Sequence, residues 1–202
     1  LKPHKVNLKV DGKIIVEDDI QFWQSSIGYV AQNTFLADDT VAANIAFGMD
    51  QKDINQGAVE RASKIASLHE FIKDELPMQY QTTIGERGIR LSGGQRQRIG
   101  IARALYHDPK VLIFDEATSA LDLETDSAMQ KILKEHFRGC TVVVIAHRLE
   151  TIITCDNIIV MSNGNVIEEG NPQELVQREH GSFKRLVEAT GKTYEELVEV
   201  HN

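Results

Sequence analysis

Short β-branched runs alternate along the chain with stretches whose apolar residues recur every three or four positions. Ile27 to Ala31, Val111 to Phe114, Thr141 to Ala146 and Ile158 to Met161 read as strands buried on both faces. Between them, Asp53 to Ile72 carries Val59, Ala62, Ile65 and Ala66 at helical spacing, and Thr125 to His136 carries Ala128, Met129, Ile132 and Leu133. Both patterns predict amphipathic helices. A third helix is expected from Gln95 to Leu105 with Ser92 as its cap, and a fourth after Asn171, where Pro172 takes the first helical position and Glu174 is acidic. Asn163-Gly164 between two apolar runs signals a tight turn. Strands alternating with helices predict an α/β fold, a mostly parallel sheet flanked by helices, with Asp53 to about Gly88 as a helical insertion. The segment after Gly191, KTYEELVEVHN, reads as a frayed or peripheral helix.

Composition narrows the picture. At 202 residues and 42% hydrophobic content, the chain has the makings of one domain with a real core. Its longest apolar run, Val142 to Ala146, is too short to cross a bilayer, and the opening LKPHKVNLKV lacks the apolar centre of a secretory signal. A net charge of −8, with Arg96 to Arg103 as the local basic cluster, argues against a nucleic-acid partner. Cys140 and Cys155 show no metal-ligand spacing and read as reduced, partly buried thiols.

Candidate chemistry gathers at strand ends. Val111-Leu112-Ile113-Phe114 delivers Asp115 and Glu116 where ligands bind in open α/β sheets. Two adjacent acids there suit a magnesium nucleotide, with Asp115 holding the ion and Glu116 deprotonating an attacking water. His147 ends the strand Thr141 to Ala146, placed to hydrogen-bond a transferring phosphoryl group, and Gln32 ends Ile27 to Ala31, placed to reach a metal-bound water. In Leu91 to Gln95, Ser92 caps a helix, and Gly93 and Gly94 let a phosphate approach its first amides.

Together these elements resemble the nucleotide-binding domain of an ABC transporter. Leu91-Ser92-Gly93-Gly94-Gln95 is similar to the ABC signature, VLIFDE at 111–116 to the Walker B strand with its catalytic glutamate, and Ser119-Ala120-Leu121-Asp122 to the D-loop. Gln32 resembles the Q-loop glutamine and His147 the switch histidine. Thr83-Ile84-Gly85-Glu86-Arg87-Gly88 is similar to the loop that touches transmembrane domains in exporters. Phe35-Leu36 through Asn44-Ile45 looks like an exporter Q-loop region, and FLADDTVAANIAFG like lipid or oligosaccharide flippases. The resemblance implies a P-loop NTPase-like ABC ATPase domain over 1–202, with a helical subdomain at about 46–105, the C-terminal part of the catalytic core at 106–190 and a tail at 191–202.

By that resemblance, two such domains face each other head to tail around ATP and Mg2+. Ser92, Gly93, Gly94 and Gln95 would clasp ATP in trans, while Glu116, His147 and Gln32 would be catalytic, and Asp115 and Gln32 would hold the metal. Asp122 would couple the two sites, and Glu86 and Arg87 would meet transmembrane domains on the cytoplasmic face of a membrane. The family also carries a phosphate loop, G-x-x-x-x-G-K-[ST], ahead of the Q-loop, and these 202 residues contain none. We therefore expect an incomplete, N-terminally truncated domain, inactive by itself. One alternative is a non-catalytic fragment that lends its signature loop to a complete partner. Another is a soluble ABC ATPase of the DNA-repair type, though the short stretch between Gln32 and Leu91 leaves no room for that type's coiled coil.

Overall fold

Parallel pairing of two short strands sets the frame for everything that follows. The computed structural model describes residues 8–86, 88–116, 139–146 and 149–199, which divide into two compact units, Leu1–Val143 and Val144–Asn202. The first unit opens with a small antiparallel hairpin, β1 (Lys9–Val10) and β2 (Lys13–Ile14), and a short helix α1 (Ile20–Ser25). Strand β3 (Ile27–Val30) then pairs in parallel with β6 (Val111–Asp115), with Ile27 opposite Val111 and Val30 opposite Phe114. Val30, Leu112 and Phe114 are buried. β7 (Thr141–Ile145) completes this sheet in the order β3-β6-β7.

Between the two core strands the chain is mainly helical. Strand β4 (Asp39–Thr40) pairs antiparallel with β5 (Thr83–Ile84), and Thr40 caps α2 (Val41–Ile45) by accepting from the Ala43 amide. Asn55 caps α3 (Gln56–Ile65) in the same way through Ala58. The predicted single helix from Asp53 to Ile72 is in fact two, because Ser67 turns the backbone into the left-handed region at φ 51° before α4 (His69–Glu75) begins. The apolar stripe nonetheless points inward as expected: Val59, Ala62, Ile65 and Ala66 are all buried, and α3 packs against α5 (Gly93–Leu105). The helix expected over Thr125 to His136 lies outside the described residues.

In the second unit, α6 (Leu149–Ile152) precedes an antiparallel hairpin, β8 (Ile158–Ser162) and β9 (Asn165–Gly170). Asn163 and Gly164, at φ 49° and 77°, make the tight turn between them, and the hairpin bulges at Val160/Met161. Asn171 caps α7 (Pro172–Gln177) through the Gln173 amide, with proline at the start as the sequence predicts. Helices α8 (Ser182–Glu188) and α9 (Tyr194–Glu199) follow. One apolar cluster joins Leu149, Ile153, Ile158, Leu175, Phe183, Val187 and Leu197.

Two expectations need correction. The strands Thr141 to Ala146 and Ile158 to Met161 are not buried on both faces: Val142, Val143 and Ile145 stand exposed on β7, as do Ile159 and Met161 on β8. Among the described residues β7 is the last strand in its sheet order, and β8 belongs to an antiparallel hairpin, which tolerates an open face where an interior parallel strand does not. The helix after Gly191 is not peripheral either, since Leu197 is 0% exposed within the second unit's cluster.

Candidate functional site

Register alone brings the first group of candidate residues together. With Val30 opposite Phe114 in a parallel pair, the chains leave the sheet side by side, and Gln32 and Glu116 each follow two residues later. Gln32 Nε2 donates to Glu116 Oε2 at 2.6 Å. Glu116 adopts φ 50°, a left-handed conformation that a residue with a side chain enters at a cost and that recurs at functional sites. Leaving the strand through that conformation breaks the in-and-out alternation of β6 at the carboxylate.

Asp115, the last residue of β6, is half-buried and accepts a 2.7 Å hydrogen bond at Oδ2 from the Tyr29 hydroxyl. Tyr29 lies opposite Ile113, so its ring reaches diagonally along the same face to the residue two further on. The bond to Asp115, and then modest burial and the carboxylate's charge, hold the Tyr29 phenol above its ordinary pKa. Tyr29 was not among the residues singled out from the sequence. Its signal was available in the alternation of β3, had the register against β6 been known.

The second group sits at the start of α5. Ser92 Oγ accepts from the Gln95 amide at 3.2 Å and Gln95 Oε1 accepts from the Ser92 amide at 2.9 Å, a reciprocal capping box. Ser92 and Gly93 are exposed while Gly94 and Gln95 are half-buried. The Ser92 hydroxyl, accepting from Gln95, retains its own O–H to donate. Glu86 is exposed just after β5. His147, Asp122 and Arg87 lie outside the described residues.

For a metal, the candidate donors at these strand ends are the oxygens of Asp115 and Glu116 and the side-chain amide of Gln32, of which Gln32 and Glu116 are in contact. Among the described residues no group of three or more His, Cys, Asp or Glu could hold an ion by itself. That set fits magnesium, which binds through one or two carboxylates plus substrate phosphates, better than a metal that needs an all-protein cage. Cys140 and Cys155 are half-buried, and burial pushes the Cys140 thiol up, away from a reactive thiolate.

The sheet thus carries Asp115 and Glu116 at a strand end with Gln32 against Glu116, and the capped Ser-Gly-Gly-Gln helix packs on β3. The ABC transporter family model matches residues 1–119. ABC multidrug transporter E of Aspergillus fumigatus is 44% identical over 178 residues, covering 85% of this chain and 14% of that protein. An ATP-dependent lipid A-core flippase of Saccharophagus degradans is 48% identical over 172 residues, 85% of this chain and 29% of the flippase. Among solved structures, a bacterial Atm1-family ABC exporter with ATP bound superposes with a TM-score of 0.85 at 34% identity, covering 95% of this chain and 33% of that one. This chain belongs to the ABC transporter family, as an exporter-type nucleotide-binding domain. It spans 14% and 29% of the length of the two relatives just named.

Proposed function

We propose that the chain is the ATP-binding and hydrolysing part of an ABC exporter, acting by ATP-dependent pairing with a second nucleotide-binding domain. The hydrogen bond between Gln32 and Glu116 carries this proposal, because it holds an amide and a carboxylate together at the strand ends where ligands of parallel sheets bind. Bound ATP would supply the phosphoanhydride to be cleaved, and magnesium the positive charge that neutralises the negative charge on its oxygens. Asp115 and Gln32 would hold the metal, and Glu116 would orient a water and take its proton. His147 donates to the transferring phosphoryl group.

Ser92, Gly93, Gly94 and Gln95 serve a different nucleotide, the one carried by the facing domain. Support comes from the start of α5, where the Gly93 and Gly94 amides and the helix dipole suit a phosphate, and from the Ser92 O–H that the capping box leaves able to donate. Asp122 couples the two sites, and Glu86 and Arg87 meet transmembrane domains that place the assembly on the cytoplasmic face of a membrane. No helix among the described residues is long and apolar enough to cross a membrane, so in this proposal the spans belong to other sequence.

Mixing the chain with a complete nucleotide-binding domain that has its own phosphate loop tests this reading. The expected result is association that requires ATP and is lost in Ser92→Arg, whose long cation would fill the anion's place; a wild-type chain that never associates would sink the donor role. Containing no G-x-x-x-x-G-K-[ST], the 202 residues by themselves should hydrolyse ATP negligibly. Magnesium-dependent turnover by the chain alone that Glu116→Gln abolishes would reverse that expectation.

A further inference from the structure

Gln32 sits on a segment that has little of its own to hold it. Residues 31–35 form neither helix nor strand, and Gln32 and Asn33 are exposed. Yet the Gln32 amide meets Glu116 at 2.6 Å, so its backbone must be anchored from elsewhere. The anchors come from one face of α5. Gln97, 3% exposed, donates through Nε2 to the Ala31 carbonyl at 3.3 Å, just before Gln32. Arg103 donates through Nη2 to the Phe35 carbonyl at 3.0 Å, at the far end of this segment.

Between these two anchors Gly100 lies so close to Thr34 that any Cβ would collide with its side chain. Positions 97, 100 and 103 are three residues apart, which places them in one line along the helix. Arg103 extends the attachment further. Its Nε donates to the Asn44 carbonyl at 2.8 Å and its guanidinium stacks over Phe47 at 4.5 Å from the ring centre. Asn44, fully buried, in turn binds Ala37 through both its amide oxygen and its amide nitrogen.

We propose that Gln97 and Arg103 are positioning residues that strap the Gln32 loop to the helix carrying Ser92, so that the Gln32–Glu116 contact depends on side chains touching neither residue. The helix that presents Ser92 to one nucleotide thereby sets the place of Gln32 at another. A displacement of α5 is transmitted to the Gln32 loop through two carbonyls, with the Gly100–Thr34 contact between them. This consequence rests on the reading of Ser92 and Gln32 as nucleotide-site residues, whereas the strap itself does not.

The test reads the Gln32 side-chain amide by NMR, assigned by its disappearance in Gln32→Glu, with no nucleotide and no partner present. In the wild type the bonded Nε2 proton should resonate away from the position of a free glutamine amide. Gln97→Leu, which keeps the side chain's bulk but has no donor, should lose that shift while the Gln95 backbone amide, held by the Ser92 cap, keeps its position. Should Gln97→Leu fail to fold, Arg103→Lys serves instead, because a lysine keeps the charge but cannot span both carbonyls. Ile99→Val, which loosens the same helix without touching the strap, should leave the shift in place. An unchanged shift in Gln97→Leu, or an equal loss in Ile99→Val, would overturn the strap. Absence of ATP-dependent association in the wild type would instead remove the nucleotide-site reading and leave the NMR result to stand or fall alone.

Discussion

At the scale of single residues, the site turns on groups whose placement follows from strand register and on one that register alone would reveal. Tyr29 donates to Asp115, and that bond raises its phenol pKa because a carboxylate acceptor favours the protonated ring hydroxyl. Ultraviolet titration of phenolate, taken as the difference between wild type and Tyr29→Phe, should therefore place Tyr29 above an ordinary tyrosine. Asp115→Asn should bring it down, since a neutral amide neither repels the phenolate nor accepts as strongly; an unmoved titration would show that the bond does not form. The strand-end positions of Asp115, Glu116 and Gln32 were legible in the sequence because each ends an apolar run at the same end of a parallel pair. The left-handed backbone at Glu116 was not, for nothing in Phe-Asp-Glu-Ala distinguishes φ 50° from a regular strand exit. Tyr29 was hidden because its partner is 86 positions away and pairing between strands is not written in either strand alone.

At the scale of elements, caps decided what could be read. Ser92…Gln95 and Asn171-Pro172 announced their helices, and Thr193 with Glu196 makes a reciprocal cap of the Ser92…Gln95 kind on the helix that buries Leu197. The cap of α8 had no local signal at all. Its N-terminus is closed by Glu168 from β9, whose carboxylate accepts from the Ser182 and Phe183 amides, the latter at 3.0 Å. The Ser182 amide first, with the Phe183 amide and Arg178 adding to it against slight burial, holds the Glu168 carboxyl below its ordinary pKa. A depressed folded pKa means that the ionised group favours the folded state. Its contribution is present above the unfolded glutamate pKa and is lost as pH falls through the lower folded value. Glu168→Gln should cost about 1 kcal/mol near neutrality, the usual worth of a helix N-terminal cap. It should also flatten the acid limb of the unfolding curve, measured by circular dichroism of α8 and its neighbours; wild type and variant losing stability in parallel through the acid range would refute the cap.

At the scale of the whole molecule, surface chemistry sets two tendencies against each other. Val142 and Val143 are 43% and 44% exposed on β7, and Ile159, Met161 and Val166 are 55%, 63% and 56% exposed on the hairpin, where Met161 stands directly opposite Val166. Apolar strand surface of this kind attracts its like, and strand edges add unpaired backbone groups that can extend a sheet. Against that, a net charge of −8 makes any two copies repel at low ionic strength. Salt shortens the reach of that repulsion, the screening length falling from about 30 Å at 0.01 M to about 10 Å at 0.1 M, but leaves apolar attraction intact. The chain alone should therefore be least associated at low salt and associate progressively as sodium chloride is raised, by sedimentation velocity or light scattering. Val143→Thr with Met161→Thr, which keep strand propensity while removing apolar exposure, should suppress that rise without lowering the melting temperature by more than a few degrees, as exposed sites contribute little to stability. Association that instead falls with salt, or that the double substitution leaves unchanged, would mean that charge pairing rather than these strands brings the copies together.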